Sequence, residues 1–241
     1  MTGCAVNCRR TLSHGLALLH EDRDILVVDK PPGLLTIATQ AERARTAYHI
    51  LTGHVRKGDP RSRNRVFIVH RLDRETSGVL VFAKSEEAKF RLQSQWDETR
   101  KRYLAVVHGR CVKPADTIST YLAEGAGFAV RSSPHPGKGR LSHTAYKVIK
   151  ESKAFSLLDI ELLTGRKHQI RVHLAGIGHP VVGDERYGPK DRANRQLALH
   201  ALALSFLHPR TGERVAFAAR IPALFNRLVG PFDLPAFAHT S

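Results

Sequence analysis

Apolar residues in this chain fall into short runs separated by glycine, proline and clusters of charge. Ile25 to Val28, Val66 to Val69, Val79 to Phe82 and Leu104 to Val107 are apolar without alternation, the pattern of inner strands covered on both faces. Lys30-Pro31-Pro32-Gly33 turns the chain after the first run, because proline blocks a helix and removes a ladder donor. Thr144 to Ile149 and Phe155 to Leu162 read as an antiparallel pair, and Leu204 to Leu207 with Val215 to Ala218 as a closing hairpin.

Helical spacing is rarer. Thr46 to Val55 reads as a short helix. Ser85 offers an N-cap followed by Glu86 and Glu87, with Ala88, Leu92 and Trp96 at helical spacing, and Trp96 is assigned to the core rather than to base stacking. Ile170, Leu174 and Ile177 form the stripe of a third helix ending near Gly178, and Ile221 to Leu228 predicts a last one. Leu122 to Arg140, punctuated by Gly125, Gly127, Pro134, Pro136, Gly137 and Gly139, reads as a long loop or irregular hairpin. Strands joined by hairpins, with few helices between, predict an α+β fold with a mixed, mostly antiparallel central sheet flanked by helices. Residues 1–20 are expected as a lead-in, 21–230 as one domain and 231–241 as a tail.

Charge changes the picture. Lys and Arg outnumber Asp and Glu by 38 to 22, a formal charge of +16, which favours a polyanionic partner. Charge alone does not separate RNA, DNA and an acidic membrane. Cys4, Cys8 and Cys111 are too few and too scattered for a disulfide framework or a metal cluster. No apolar run approaches the roughly 20 residues of a membrane span, no signal peptide is legible, and a cytoplasmic, membrane-free setting is expected.

The densest chemistry lies in Val66-Phe67-Ile68-Val69-His70-Arg71-Leu72-Asp73-Arg74-Glu75-Thr76-Ser77-Gly78. Asp73 sits where a strand hands over to a turn, flanked by Arg71 and Arg74. If the strand persists, Arg71 and Asp73 share a face, and an adjacent guanidinium keeps a carboxylate ionised. Asp73 then either closes an Asx turn or pairs structurally, or it serves as a nucleophile.

His70 to Gly78 closely resembles the HRLD-x-x-TSG signature of the RluA family of pseudouridine synthases, which isomerise uridine in ribosomal or transfer RNA. Three further stretches resemble family motifs in the family's order: Asp29 to Leu34 the K-P-x-G-L element, Lys101 to Gly109 the tyrosine strand, and Thr164 to His173 the arginine motif. The likeness spans roughly residues 22–220. It implies a pseudouridine synthase domain with a central catalytic cleft, no cofactor and no metal. It implies Asp73 as nucleophile, Tyr103 against the target base with a part in proton handling, and Arg171 as the partner of Asp73. It also implies an RNA substrate, rRNA or tRNA, with no room here for the separate small RNA-binding domain that many members carry first. Leu34 to Ala38 lacks the histidine often seen there in the family, which leaves the subfamily open.

Beside these, Arg71 is assigned to fill the stack vacated by a flipped uridine, Arg166 to a phosphate, and His70, His168 and Gln169 to RNA contacts. His168 and His173 stand five apart, unlike the four-residue spacing of zinc helices. Arg56, Lys57, Arg61, Arg63 and Arg65, and then Arg131, Lys138 and Arg140, mark two loops that either grip phosphates or are solvated. A monomer is the default expectation. Two other functions compete: a non-catalytic RNA-binding or ribosome assembly protein on the same scaffold, and a nucleosidase, which needs a second carboxylate such as Asp159 or Glu161.

Overall fold

The computed structural model describes residues 10–38, 42, 44–125, 129–137, 139–190 and 194–234. Cys4, Cys8, Gly127, Lys138 and residues 235–241 lie outside them. The chain divides into two compact units, residues 1–99 with 204–219, and residues 100–203 with 220–241. The fold is α+β, and its strands pair mainly antiparallel.

In the first unit, strand β1 (Ala17–Glu21) pairs with β2 (Ile25–Lys30), and β2 pairs with β4 (Ser77–Ala83), both antiparallel. The unpatterned lead-in thus contributes a strand, held by the β2 ladder rather than by alternation of its own. Every residue of β4 is buried, as its unbroken apolar run predicts. Asp22 makes the β1–β2 turn by accepting the Asp24 and Ile25 amides at 2.7 and 2.8 Å. Helix α1 (Ala47–Arg56) starts at Thr46, whose hydroxyl accepts from the His49 amide, and α2 (Glu86–Ser94) starts at Ser85, whose hydroxyl accepts from Ala88. Ile25, Val27, Val81, Leu92 and Phe206 anchor the core of this unit, with Trp96 packed against it.

The strand expected over Val66 to Val69 shrinks to β3 (Phe67–Ile68). Side chains end it. The Val81 amide donates to His70 Nε2 at 3.2 Å, and Gln93 Nε2 donates to the Val69 carbonyl at 3.0 Å, so ring and amide take over bonds that a longer ladder would make. His70 also stacks on Trp96, with ring centroids 4.6 Å apart.

The second unit runs in the order β5 (Arg100–His108), β9 (Phe155–Leu162), β8 (Arg140–Glu151), β6 (Ala115–Glu124), β7 (Val130–Ser133). The stretch read as a loop or irregular hairpin is the β6–β7 hairpin with its lead into β8. Helices α3 (Gln169–Gly176) and α4 (Ala223–Val229) cover its core, built on Leu104, Val106, Leu158, Ile160, Leu174 and Phe225. In β10 (Leu199–Leu207), residues 199–203 belong to this unit and 204–207 to the first, where the closing hairpin with β11 (Arg214–Ala218) forms as expected.

Candidate active site

Asp73 lies on an irregular loop between β3 and β4, so the shared strand face expected for Arg71 and Asp73 does not exist. The loop is nevertheless bolted down on both sides of Asp73. Thr36, 2% exposed, donates its hydroxyl to the Leu72 carbonyl at 2.9 Å and accepts the Leu72 amide at 3.2 Å. On the other side, the Gly33 amide donates to the Arg74 carbonyl at 2.9 Å, and Arg74 Nε returns a bond to the Gly33 carbonyl at 3.1 Å. Gly33 adopts φ +80°, which suits glycine in the turn that makes this reach. The Thr76 amide closes back on the Asp73 carbonyl at 3.2 Å.

Lys30 ties the two segments from within. It is fully buried, and its Nζ donates to the carbonyls of Pro31 (3.0 Å), Leu34 (2.8 Å) and Arg74 (3.0 Å). Three acceptors match the three N–H bonds of an ammonium. Burial pushes the Lys30 pKa down to about 7, against the attraction of Glu75, Asp73 and Asp29. Thr36 lies outside the motifs of the sequence analysis, whereas Lys30 is the lysine of the stretch that resembles the K-P-x-G-L element. Asp73 is half-buried and Arg71 exposed. His70 is committed to Val81 and Trp96, a task in holding the fold.

In the second unit, Tyr103 stands half-buried on β5, opposite Ile160 of β9. Its neighbour Arg102 grips Asp159 with Nε at 2.7 Å and Nη2 at 2.8 Å, which gives that carboxylate a structural partner. The arginine motif opens with His168 at φ +54°, and α3 follows. Arg171 donates from Nε and Nη2 to Asp184 at 2.7 and 2.8 Å. Asp184 is fully buried; burial alone raises its pKa, but the bonds and charge of Arg171 and the Tyr187 and Arg186 amides outweigh this and hold it below the usual range.

Gln169 is spent inside the fold. Its Oε1 accepts from the Thr164 hydroxyl and the Arg166 amide, and its Nε2 donates to the His143 carbonyl and Thr144. That corrects its assignment to an RNA contact, since at 2% exposure with all four bonds made it has nothing to offer a ligand. His168 bonds through Nδ1 to the Tyr187 hydroxyl at 2.8 Å, and His173 bridges Thr120 and Thr144 through its two ring nitrogens, so the two histidines serve separate partners. Arg166 is exposed and, with Lys167 and Arg140, lines a recess of about 360 Å³ beside the β6–β7 hairpin.

Among the described residues, ligand-type atoms of Asp22, Asp24 and His208 come within 4.8 Å of one another. They are tied up in a hydrogen-bonded network. His208 Nδ1 accepts the Arg210 and Thr211 amides, which leaves Nε2 as the protonated donor to Asp22, and Arg210 grips Asp24 with two nitrogens. No helix among the described residues is long and apolar enough to cross a membrane.

The family model for RNA pseudouridylate synthase matches residues 24–176. The uncharacterized RNA pseudouridine synthase YlyB of Bacillus subtilis is 38% identical over 223 residues, covering 89% of this chain and 72% of that one. Ribosomal large subunit pseudouridine synthase D of Zymomonas mobilis is 33% identical over 220 residues, covering 86% and 69%. The structure of human RNA pseudouridylate synthase domain containing 1 superposes with a TM-score of 0.71 at 25% identity, over 92% of this chain and 91% of that one. The fold and these matches define an RNA-modifying isomerase. The chain belongs to the RNA pseudouridylate synthase family and converts uridine to pseudouridine in RNA.

Proposed function

We propose that this enzyme isomerises a specific uridine in rRNA or tRNA, with Asp73 as nucleophile. The observation that carries this reading is the double anchoring of the loop at Leu72 and Arg74, which fixes the backbone on either side of Asp73 before substrate arrives. The Asp73 carboxylate attacks the base or the ribose C1′ and the N1–C1′ bond breaks with its electron pair on the uracil; the uracil turns, C5 bonds to C1′, the bond to Asp73 breaks to regenerate the carboxylate, and N1 takes up a proton that matches the one C5 loses. Loss of the C5 proton, taken up by Asp73 or through Tyr103, restores the aromatic ring. The reaction is redox-neutral and breaks no phosphate bond, so a carboxylate with acid-base help suffices. Arg171 is the charge partner we assign to Asp73, as its place in the family's arginine motif implies, and its Nε and Nη2 are held by Asp184.

A uridine within structured RNA must leave its stack, at a cost of a few kcal/mol, and exposed Arg71 is the residue we assign to fill the gap. Arg140, Arg166 and Lys167 around their recess supply phosphate contacts, consistent with the charge of +16. Large-subunit rRNA is the first substrate to test, since the Zymomonas mobilis relative is named for it. Incubation with rRNA and with tRNA transcripts, followed by digestion and nucleoside chromatography, should yield pseudouridine in one class approaching one per molecule. Binding to both without product would favour the non-catalytic RNA-binding alternative, and free uracil would favour a nucleosidase.

A further inference from the structure

Arg171 is held by a built socket. Asp184 receives Nε and Nη2 of the guanidinium at 2.7 and 2.8 Å, and its Oδ1 also accepts the Arg186 and Tyr187 amides at 3.0 and 3.1 Å. Such a carboxylate has little freedom to turn. The backbone around it is equally confined: a Cβ on Gly183 would stand 2.1 Å from the Gln196 carbonyl oxygen, and one on Gly188 would stand 2.8 Å from that of Asp184. Gly183 also adopts φ +76°.

The face of the guanidinium is supported as well as its edge. Arg171 Cζ lies 5.2 Å from the centroid of the Tyr187 ring, within cation–π range. The Tyr187 hydroxyl accepts the Val130 amide at 2.9 Å and bonds His168 Nδ1 at 2.8 Å, so the ring is pinned to the β6–β7 hairpin and to the residue that opens α3. An arginine whose only task was to neutralise a carboxylate would need one partner; this one is restrained in two directions.

Resting on the role assigned to Arg171 above, we propose that Asp184 and Tyr187 are positioning residues that aim the Arg171 guanidinium for catalysis. Neither touches the reacting atoms. Asp184 fixes the Nε/Nη2 edge, Tyr187 fixes the plane, and the direction of Nη1 follows from the two.

A double-mutant cycle tests this. Asp184→Asn preserves shape but places an amide donor in a site where all four partners are N–H groups, one at Oδ2 and three at Oδ1. It should lower kcat on the order of tenfold to a hundredfold through misalignment, while RNA binding by fluorescence anisotropy changes by less than about twofold. In an Arg171→Ala background the same substitution should cost nothing further in kcat. Losses that multiply, or a loss of RNA affinity as large as the loss of turnover, would show a structural role and overturn the proposal. Full turnover by Arg171→Ala would instead refute the role of Arg171 itself and this inference with it. Should Asp184→Asn fail to fold, Tyr187→Leu replaces it in the cycle, with the same kcat-selective, non-additive loss expected and the same multiplying result overturning the claim.

Discussion

Thr36 holds Leu72 by both backbone groups, with its hydroxyl donating to the carbonyl at 2.9 Å and accepting the amide at 3.2 Å. Leu72 immediately precedes Asp73, so a side chain remote in sequence sets the backbone of the nucleophile we propose. Thr36→Val keeps the shape and removes both bonds in a buried site. It should destabilise the fold by about 1–3 kcal/mol for each orphaned group and lower kcat with RNA affinity kept, whereas Thr36→Ser should retain most of both. Urea unfolding beside single-turnover kinetics checks this, and unchanged turnover at reduced stability would separate the clamp from catalysis.

Lys30 gives the stability a dependence on alkaline pH. Its pKa is lowered from 10.5 to about 7 by burial. Between those values the unfolded chain holds a proton that the folded one has released, so stability rises with pH across that window. The stability of wild type minus that of Lys30→Met should therefore climb from pH 7 to pH 10, measured by denaturant unfolding. A flat difference would place the folded pKa near its ordinary value.

His173 and His200 are buried, and burial lowers both to about 4, with His143 adding to the effect on His173. As pH falls from 6.5 toward 4 the unfolded histidines take protons that the folded ones refuse, and stability is lost by roughly 1.4 kcal/mol for each unit and each group. His200→Phe should flatten the drop between pH 7 and pH 5 by about half. An unaltered slope would contradict the assignment.

Much of the fold was legible in the sequence because its signals are local. Thr46 and Ser85 cap helices through their own hydroxyls, and unbroken apolar runs became β2, β4 and β5. What misled was non-local. The strand into Asp73 stops because His70 and Gln93 take over its hydrogen bonds, and β1 exists because β2 lies beside it. Gln169 read as a ligand contact from its polarity, yet Thr144, Thr164, His143 and Arg166 consume it. Asp184 went unnoticed although Gly183 and Gly188 bracket it, a spacing whose meaning depends on the Gln196 backbone packed against it.

Arg71 is exposed beside the anchored loop, and its proposed task is to fill the stack that a flipped uridine leaves. Arg71→Ala should therefore cost turnover on a folded RNA at least tenfold more, to order of magnitude, than on an unpaired fragment carrying the same uridine, since the fragment has little stacking to replace. Equal losses on both substrates would remove the flipping role and leave a phosphate contact.

The central claim is that Asp73 performs the isomerisation, and tritium release from C5-labelled uridine tests it most directly. Separate rRNA and tRNA transcripts are incubated with wild type and with Asp73→Asn, whose RNA affinity is measured in parallel. Release by wild type from one transcript, with none from Asp73→Asn at equal affinity, is the predicted result. Release by both proteins at similar rates would contradict the assignment of Asp73.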